Sequence, residues 1–102
     1  MADPTYQLVL QWPSAAVNLG RLIEIEDAVI DGLGDDVDDH DYGSGTANIF
    51  ILTEDPRRAF RTAKDILERQ SALQDLRAAF RRLDQDDFEV LWPPDLLDFK
   101  IV

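Results

Sequence analysis

Five aspartates fall within seven residues and form the densest group of potential ligands in the chain; they are Asp35, Asp36, Asp38, Asp39 and Asp41. Calcium prefers such oxygen ligands, and EF-hand loops place acids at positions one, three and five, glycine at six and glutamate at twelve. A loop that begins at Asp36 has histidine, aspartate and alanine at positions five, six and twelve, and loops from Asp38 or Asp39 also fail. We therefore expect no metal site and interpret the run as a solvated anionic strand edge that discourages strand pairing.

His40 lies between two of these carboxylates and is the only histidine in the chain. A carboxylate can orient an imidazole for acid–base catalysis. In a strand, however, His40 projects from the face opposite both Asp39 and Asp41. The chain has no cysteine, and no serine stands in the strand–turn–helix context of a hydrolase nucleophile. The sequence therefore predicts no catalytic residues, and we expect the protein not to be an enzyme.

Two further segments have residue types that bind anions, but neither has the required pattern. Gly43-Ser44-Gly45 precedes a predicted strand, whereas a phosphate-binding loop leads into the N-terminus of a helix. A basic segment lacks the interleaved aromatic residues of nucleic-acid-binding surfaces; it contains Arg57, Arg58, Arg61, Lys64, Arg69, Arg77, Arg81 and Arg82. The net charge of −11 would also repel phosphates. We expect neither a cofactor nor nucleic acid as a ligand.

Charge is sorted along the sequence. Residues 1–55 carry twelve acids and one base, residues 56–82 carry eight bases and three acids, and residues 83–102 carry six acids and one base. An uneven field of this kind decides which partners can approach. A partner with a basic surface is therefore expected, and the acidic run from Asp35 to Asp41 is the predicted contact site.

Length and composition indicate one soluble domain that spans residues 1–102. The chain is 45% hydrophobic and contains two Trp, two Tyr and five Phe, which is enough for a modest core. The lack of cysteine excludes disulfides and thiolate metal sites and favours the cytoplasm. No signal-peptide pattern opens the sequence, and no apolar stretch reaches the roughly 18 residues that span a bilayer. We expect no membrane association.

Alternation and capping signals predict the elements that carry these residues. Period-two alternation indicates strands at residues 6–12 and 88–92. Residues 37–42 and 47–53 flank a short glycine-bearing connection of the length that closes a β-hairpin, which predicts two further strands. Asn18 and Asp55 are predicted helix caps, and Pro56 suits a first helical position. Ser71 with Gln74 three residues later has the form of a capping box, which would divide the second helix and start another helical piece.

The order strand, helix, strand, strand, helix, strand is typical of a ferredoxin-like βαββαβ sandwich. We therefore predict an α+β fold with a four-stranded antiparallel sheet, helices on one face and a second helix split in two. The glycines at 43 and 45 should close the central hairpin through positive φ angles. For residues 95–102 the sequence allows either a further edge strand or coil.

Three segments carry a resemblance to a group of small bacterial proteins. They are Glu26-Asp27-Ala28, Asp39 to Gly45, and Asn48-Ile49-Phe50-Ile51. The chain resembles proteins that share a stretch of the form Gly-Ser-Gly-x-x-Asn-Ile-Phe-Ile, over about residues 18–92. The resemblance implies one intact domain of bacterial type and carries no functional residue across.

The third predicted strand is apolar on both faces, since Ile49 and Ile51 alternate with Phe50 and Leu52. Helices cover only one face of the predicted sheet, so the other face must meet something else. Either the C-terminal tail covers it, or it contacts a protein, including a second copy of the chain in a homodimer.

Two functions follow from these observations. The favoured one is a non-enzymatic, acidic protein-interaction module, of which an immunity or antitoxin-like protein that covers a cationic nuclease site is a specific case. The alternative is a small-molecule-binding or enzymatic ferredoxin-like domain with a pocket between the first helix and the sheet.

Overall fold

The computed structural model describes residues 5–43, 45–96 and 99, and only the backbone of Asp35. The described chain forms β1 (Tyr6–Pro13), α1 (Leu19–Leu33), β2 (Val37–Gly43), β3 (Thr46–Thr53), α2 (Pro56–Arg69), β4 (Arg77–Arg82) and β5 (Glu89–Trp92). A short 3-10 helix, Gly34–Asp36, joins α1 to β2. The predicted helix caps are confirmed, because Asn18 accepts from the Arg21 amide at 2.8 Å and Asp55 from the Arg58 amide at 3.1 Å.

The strands form one antiparallel sheet in the order β2-β3-β1-β4-β5. The α+β class is confirmed, but the described sheet has five strands where four were predicted. As expected, β3 is an interior strand antiparallel to both β1 and β2, with Ile51 opposite Leu8 and Ile49 opposite His40. Gly43 and Gly45 have positive φ angles of 146° and 90° in the β2–β3 turn; Ser44 lies outside the described residues.

The prediction that a second helical piece begins at Ser71 is wrong. Ser71 ends α2 instead: it has a φ of 57°, its amide donates to the Glu68 carbonyl, and the Ala72 amide donates to the Leu67 carbonyl at 2.8 Å. This is the Schellman pattern of a helix C-terminus, with serine at the position that glycine usually takes. The chain then turns and enters β4.

The strand β4 was missed because its apolar residues do not alternate. Ala78, Ala79 and Phe80 are all buried, the first and third on the helix side of the sheet and the second on the other side. A strand covered on both faces has a continuous apolar run, which resembles a short buried helix in sequence. The strand predicted at residues 88–92 is β5, at the edge beyond β4.

Both helices pack on the same face of the sheet. Leu22, Ile25 and Val29 of α1 are fully buried, and α2 adds a second apolar stripe. They form one core with the inward residues of the strands, among them Leu8, Leu10, Trp12, Ile49, Ile51, Ala78 and Phe80.

A second, smaller cluster lies on the opposite face, here called the open face. Val9, Ala79 and Phe99 are its buried members, and Phe50, Phe88, Val90 and Leu96 pack against them. The rings of Phe88 and Phe99 lie 5.1 Å apart between centroids. Of the two alternatives for this face, the described residues show cover by the C-terminal tail. Asp95, Leu96 and Phe99 are not in a strand, and residues 97, 98 and 100–102 lie outside the description.

Gly34, which ends α1, is expected to tolerate no side chain. It has φ 64° and ψ −134°, and its amide donates to the Ile30 carbonyl. No atom lies within 4 Å of the position that an added Cβ would take, so the cost of Gly34→Ala is conformational. We expect a loss of about 1–3 kcal/mol in the free energy of unfolding, measured by urea denaturation.

Gly20→Ala is the matched control for this change. Gly20 lies in the first turn of α1, where an added Cβ would make an ordinary 3.5 Å contact with the Asn18 side chain. Helix propensity predicts a gain of up to about 1 kcal/mol there. An equal effect of the two substitutions would contradict the assignment of Gly34 as a conformational requirement.

Candidate functional site

The acidic run lies at one edge of the sheet. Asp36 belongs to the 3-10 helix, and Asp38, Asp39 and Asp41 belong to β2. All four side chains are exposed, while Asp35 contributes a described backbone only. Because β2 pairs with β3 alone in the described sheet, its other edge faces outward. The structure therefore places the predicted site residues on the margin of the fold, as the sequence indicated.

The register of β2 sorts these side chains between two sides of the sheet. Asp39 lies opposite Phe50 and Asp41 opposite Asn48, so both carboxylates belong to the open face. His40 lies on the helix side. The register shifts between Val37 and Asp39, which makes Asp38 the extra residue of a β-bulge. The strand thus brings Asp39 and Asp41 together and separates both from His40.

The carboxylates of the acidic edge carry uncompensated charge. Within the described residues, Asp36, Asp38, Asp39 and Asp41 form no ion pair; Asp39 accepts a hydrogen bond from the His40 amide at 2.7 Å. Elsewhere, acids do meet bases: Glu89 pairs with Arg57, and Asp84 pairs with Arg82 at 3.0 Å. The negative field at β2 is consequently directed into solvent.

The basic segment is divided between a helix and a strand. Five of its members lie on α2 and three on β4. Arg81 donates to the Gln7 side chain at 3.1 Å and to the carbonyls of Arg82, Leu83 and Gln85, which closes the β4–β5 loop. The Lys64 ammonium lies 4.2 Å from the centre of the Trp92 ring. Arg81 and Lys64 therefore serve contacts within the fold.

The partner of His40 is a residue that the sequence pattern did not predict. The His40 Nδ1 lies 2.9 Å from Oε2 of Glu26 on α1, and the Glu26 side chain is 13% exposed. The two residues are fourteen positions apart, and only the packing of α1 beside β2 joins them. The pair ties the helix to the edge strand, and the described residues place no cysteine or other histidine beside it.

Metal-binding and membrane-spanning features are both lacking in the described part of the chain. No three His, Cys, Asp or Glu side chains there are arranged to hold a metal ion. No helix among the described residues has the length and apolar character needed to cross a membrane.

The space between α1 and the sheet is filled by Leu22, Ile25 and Val29, each fully buried. Two open grooves, of about 510 and 720 Å³, lie beside the N-terminus of α2. The larger contains Arg57, Arg81 and Arg82, whose guanidinium groups are already engaged as described above. A smaller cleft of about 280 Å³ is lined by Trp12 of β1 and by Arg21 and Ile25 of α1. The alternative of a ligand pocket between the first helix and the sheet stays a prediction.

Comparison of this chain with family models, curated proteins and solved structures gave no match.

Proposed function

We propose that this chain is a cytoplasmic, non-enzymatic protein-interaction module that binds a partner with a basic surface through the acidic edge of β2. One observation carries the proposal: the exposed carboxylates of Asp36, Asp38, Asp39 and Asp41 have no cationic partner within the described residues. The absence of cysteine supports the cytoplasm as its location.

The acidic edge has little value for folding. Aspartate is a poor strand residue, and neighbouring like charges repel each other. A basic partner gains from the same charges, because clustered carboxylates speed its diffusional approach and reject acidic competitors. Binding thus gives a physical role to aspartates that lower the stability of the isolated fold.

A specific form of this function is an immunity or antitoxin-like protein. A nuclease that binds phosphates needs a cationic site, and an exposed set of carboxylates can cover such a site by charge complementarity. In this form, the partner would lose its activity in the complex, and its cationic site would be buried against β2.

The proposal includes a ferredoxin-like arrangement with one added strand. It is supported by the strand order β2-β3-β1-β4, the antiparallel pairing of all neighbours, and the positions of α1 and α2 after β1 and β3. In this arrangement β5 extends the sheet beyond β4, and β2 and β5 are its two edge strands. Of these, β2 carries the exposed acidic run.

The test is replacement of Asp38, Asp39 and Asp41 by asparagine, with capture of partners from the source cell at several salt concentrations. We expect a captured basic protein to associate with the triple variant roughly tenfold more slowly, and with a weaker salt dependence. The melting temperature should stay unchanged or rise slightly as repulsion is relieved.

The matched control changes Glu68→Gln, Asp86→Asn and Asp87→Asn. These three exposed acids lie on α2 and in the β4–β5 loop, and the change in net charge is the same. Association close to the wild-type rate is expected. If both triple variants bind the captured protein equally well, or if binding is indifferent to salt, the acidic edge is not the contact site.

A further inference from the structure

The edge strand β2 lies beside an apolar surface that the core does not use. Leu19, Ile23 and Ile30 of α1 are 44%, 42% and 41% exposed, and Tyr42 of β2 is 38% exposed. The three α1 side chains are here called the α1 stripe. Together with Tyr42 they include most of the large exposed hydrophobic residues of the described chain. A cluster of this kind marks a contact surface more often than an isolated exposed residue does.

Helix geometry places the α1 stripe next to β2. Glu26 contacts His40, and Ile23 and Ile30 lie three residues before and four residues after Glu26, on the same face of the helix. Leu19 lies one further turn back. The opposite flank of α1 meets α2, where Gly32 contacts Ile66. The stripe therefore borders the helix side of the sheet along its outer edge.

We propose that β2 pairs, by strand addition, with an extended segment of the partner in which basic and apolar residues alternate. The inference rests on the proposed function and specifies the shape and pattern of the basic partner. In an added strand, residues opposite Asp39 and Asp41 share their side of the sheet, and residues opposite His40 and Tyr42 share the other. Lysine or arginine thus suits the partner positions opposite Asp39 and Asp41. Apolar residues, which can pack against the α1 stripe, suit the positions opposite His40 and Tyr42.

Charge explains why this edge is open to such a segment and closed to copies of the chain. An acidic strand edge opposes pairing with another acidic edge, which protects the protein from self-pairing. A cationic strand neutralises the same carboxylates. The β-bulge at Asp38 limits regular pairing to the residues that follow it, so the contact is short and centred on Asp39–Gly43.

The test uses synthetic peptides, so it requires no knowledge of the natural partner. The parent is an eight-residue peptide with lysine at odd positions and valine or threonine at even positions. A scrambled peptide has the same composition without alternation. Two further peptides carry N-methyl groups on the odd or the even residues, which removes the amide donors from one strand edge or the other.

We expect the parent to bind about tenfold more tightly than the scrambled peptide, in titrations followed by calorimetry. One N-methylated peptide should lose binding, while the other should bind like the parent. On the protein, Ile23→Ser with Ile30→Ser should weaken binding of the parent several-fold, and both positions are exposed enough for the fold to persist.

Two kinds of result would overturn the inference. The first rejects strand addition alone, and the second also rejects the acidic edge as a contact surface. Equal, salt-sensitive binding of all four peptides would reject strand addition and retain an acidic contact surface. Binding that ignores the Asp38, Asp39 and Asp41 substitutions, or no binding of any peptide, would reject the acidic edge as well.

Discussion

Replacement of Trp12 by alanine is expected to lower the free energy of unfolding by about 4 kcal/mol. Trp12 is fully buried in the central strand β1. Its indole Nε1 donates to the carbonyl of Ala72 at 2.8 Å, in the turn between α2 and β4. The substitution therefore removes a large core side chain and leaves a buried carbonyl without its donor. Urea denaturation, followed by far-ultraviolet circular dichroism, measures the loss.

Trp12→Phe separates the two contributions. Phenylalanine keeps most of the apolar volume but cannot donate to Ala72, so we expect a loss of about 2 kcal/mol. Trp92→Phe is the control, because Trp92 lies half-buried in the edge strand β5 and should lose less. If Trp12→Phe were as stable as the wild type, the bond to Ala72 would not hold the turn in place.

This turn marks the limit of what the sequence could predict about the fold. The cap residues Asn18 and Asp55 and the β2–β3 turn glycines act on their immediate neighbours, so local patterns were sufficient. The end of α2 at Ser71 has no glycine, which is the usual sequence signal for a helix C-terminus. Its two capping hydrogen bonds join backbone groups, so no side chain marks them in the sequence. Trp12 and Arg21 both donate to carbonyls beyond this helix end, and such distant contacts become visible only in the folded chain.

In the candidate site, too, local features could be predicted from the sequence and long-range contacts could not. The acidic edge was predicted because strand position and charge are local properties of Asp38 to Asp41. Its neighbourhood was not, since Glu26 reaches His40 only through the packing of α1. Likewise, Gln11 donates to Asn48 at 3.0 Å, thirty-seven residues away, and both are buried on the open face. Register alone places those two amides opposite each other.

The basic residues illustrate why charge along a sequence is a weaker guide than charge in space. They lie in one stretch of the chain, yet they are divided between α2 and β4. Arg57, Lys64, Arg81 and Arg82 contact partners within the fold. The acids of β2 stay together at one edge of the sheet, where Asp39 and Asp41 share the open face. This difference, rather than the number of charges, makes the acidic edge the stronger candidate for binding.

Replacement of Phe99 by alanine is expected to uncover the open face. Phe99 is 7% exposed and packs with Val9 and Ala79, and its ring meets Phe88. Loss of this side chain should lower the free energy of unfolding by about 3 kcal/mol. It should also expose an apolar surface on strands β1 and β4, which promotes association between copies. Sedimentation over a concentration series and urea denaturation measure the two effects.

We therefore propose that copies of the chain associate through the open face only when the C-terminal tail is displaced from it. The matched control is Leu83→Ala, since Leu83 is 45% exposed and lies outside both core clusters. It should change stability and mass much less than Phe99→Ala does, because nearly half of the side chain is already exposed. If Phe99→Ala has the stability and the mass distribution of the wild type, Phe99 does not cover this face. If the wild type and Phe99→Ala both dimerise at the same concentrations, the homodimer forms without displacement of the tail, and the open face is a contact surface in its own right.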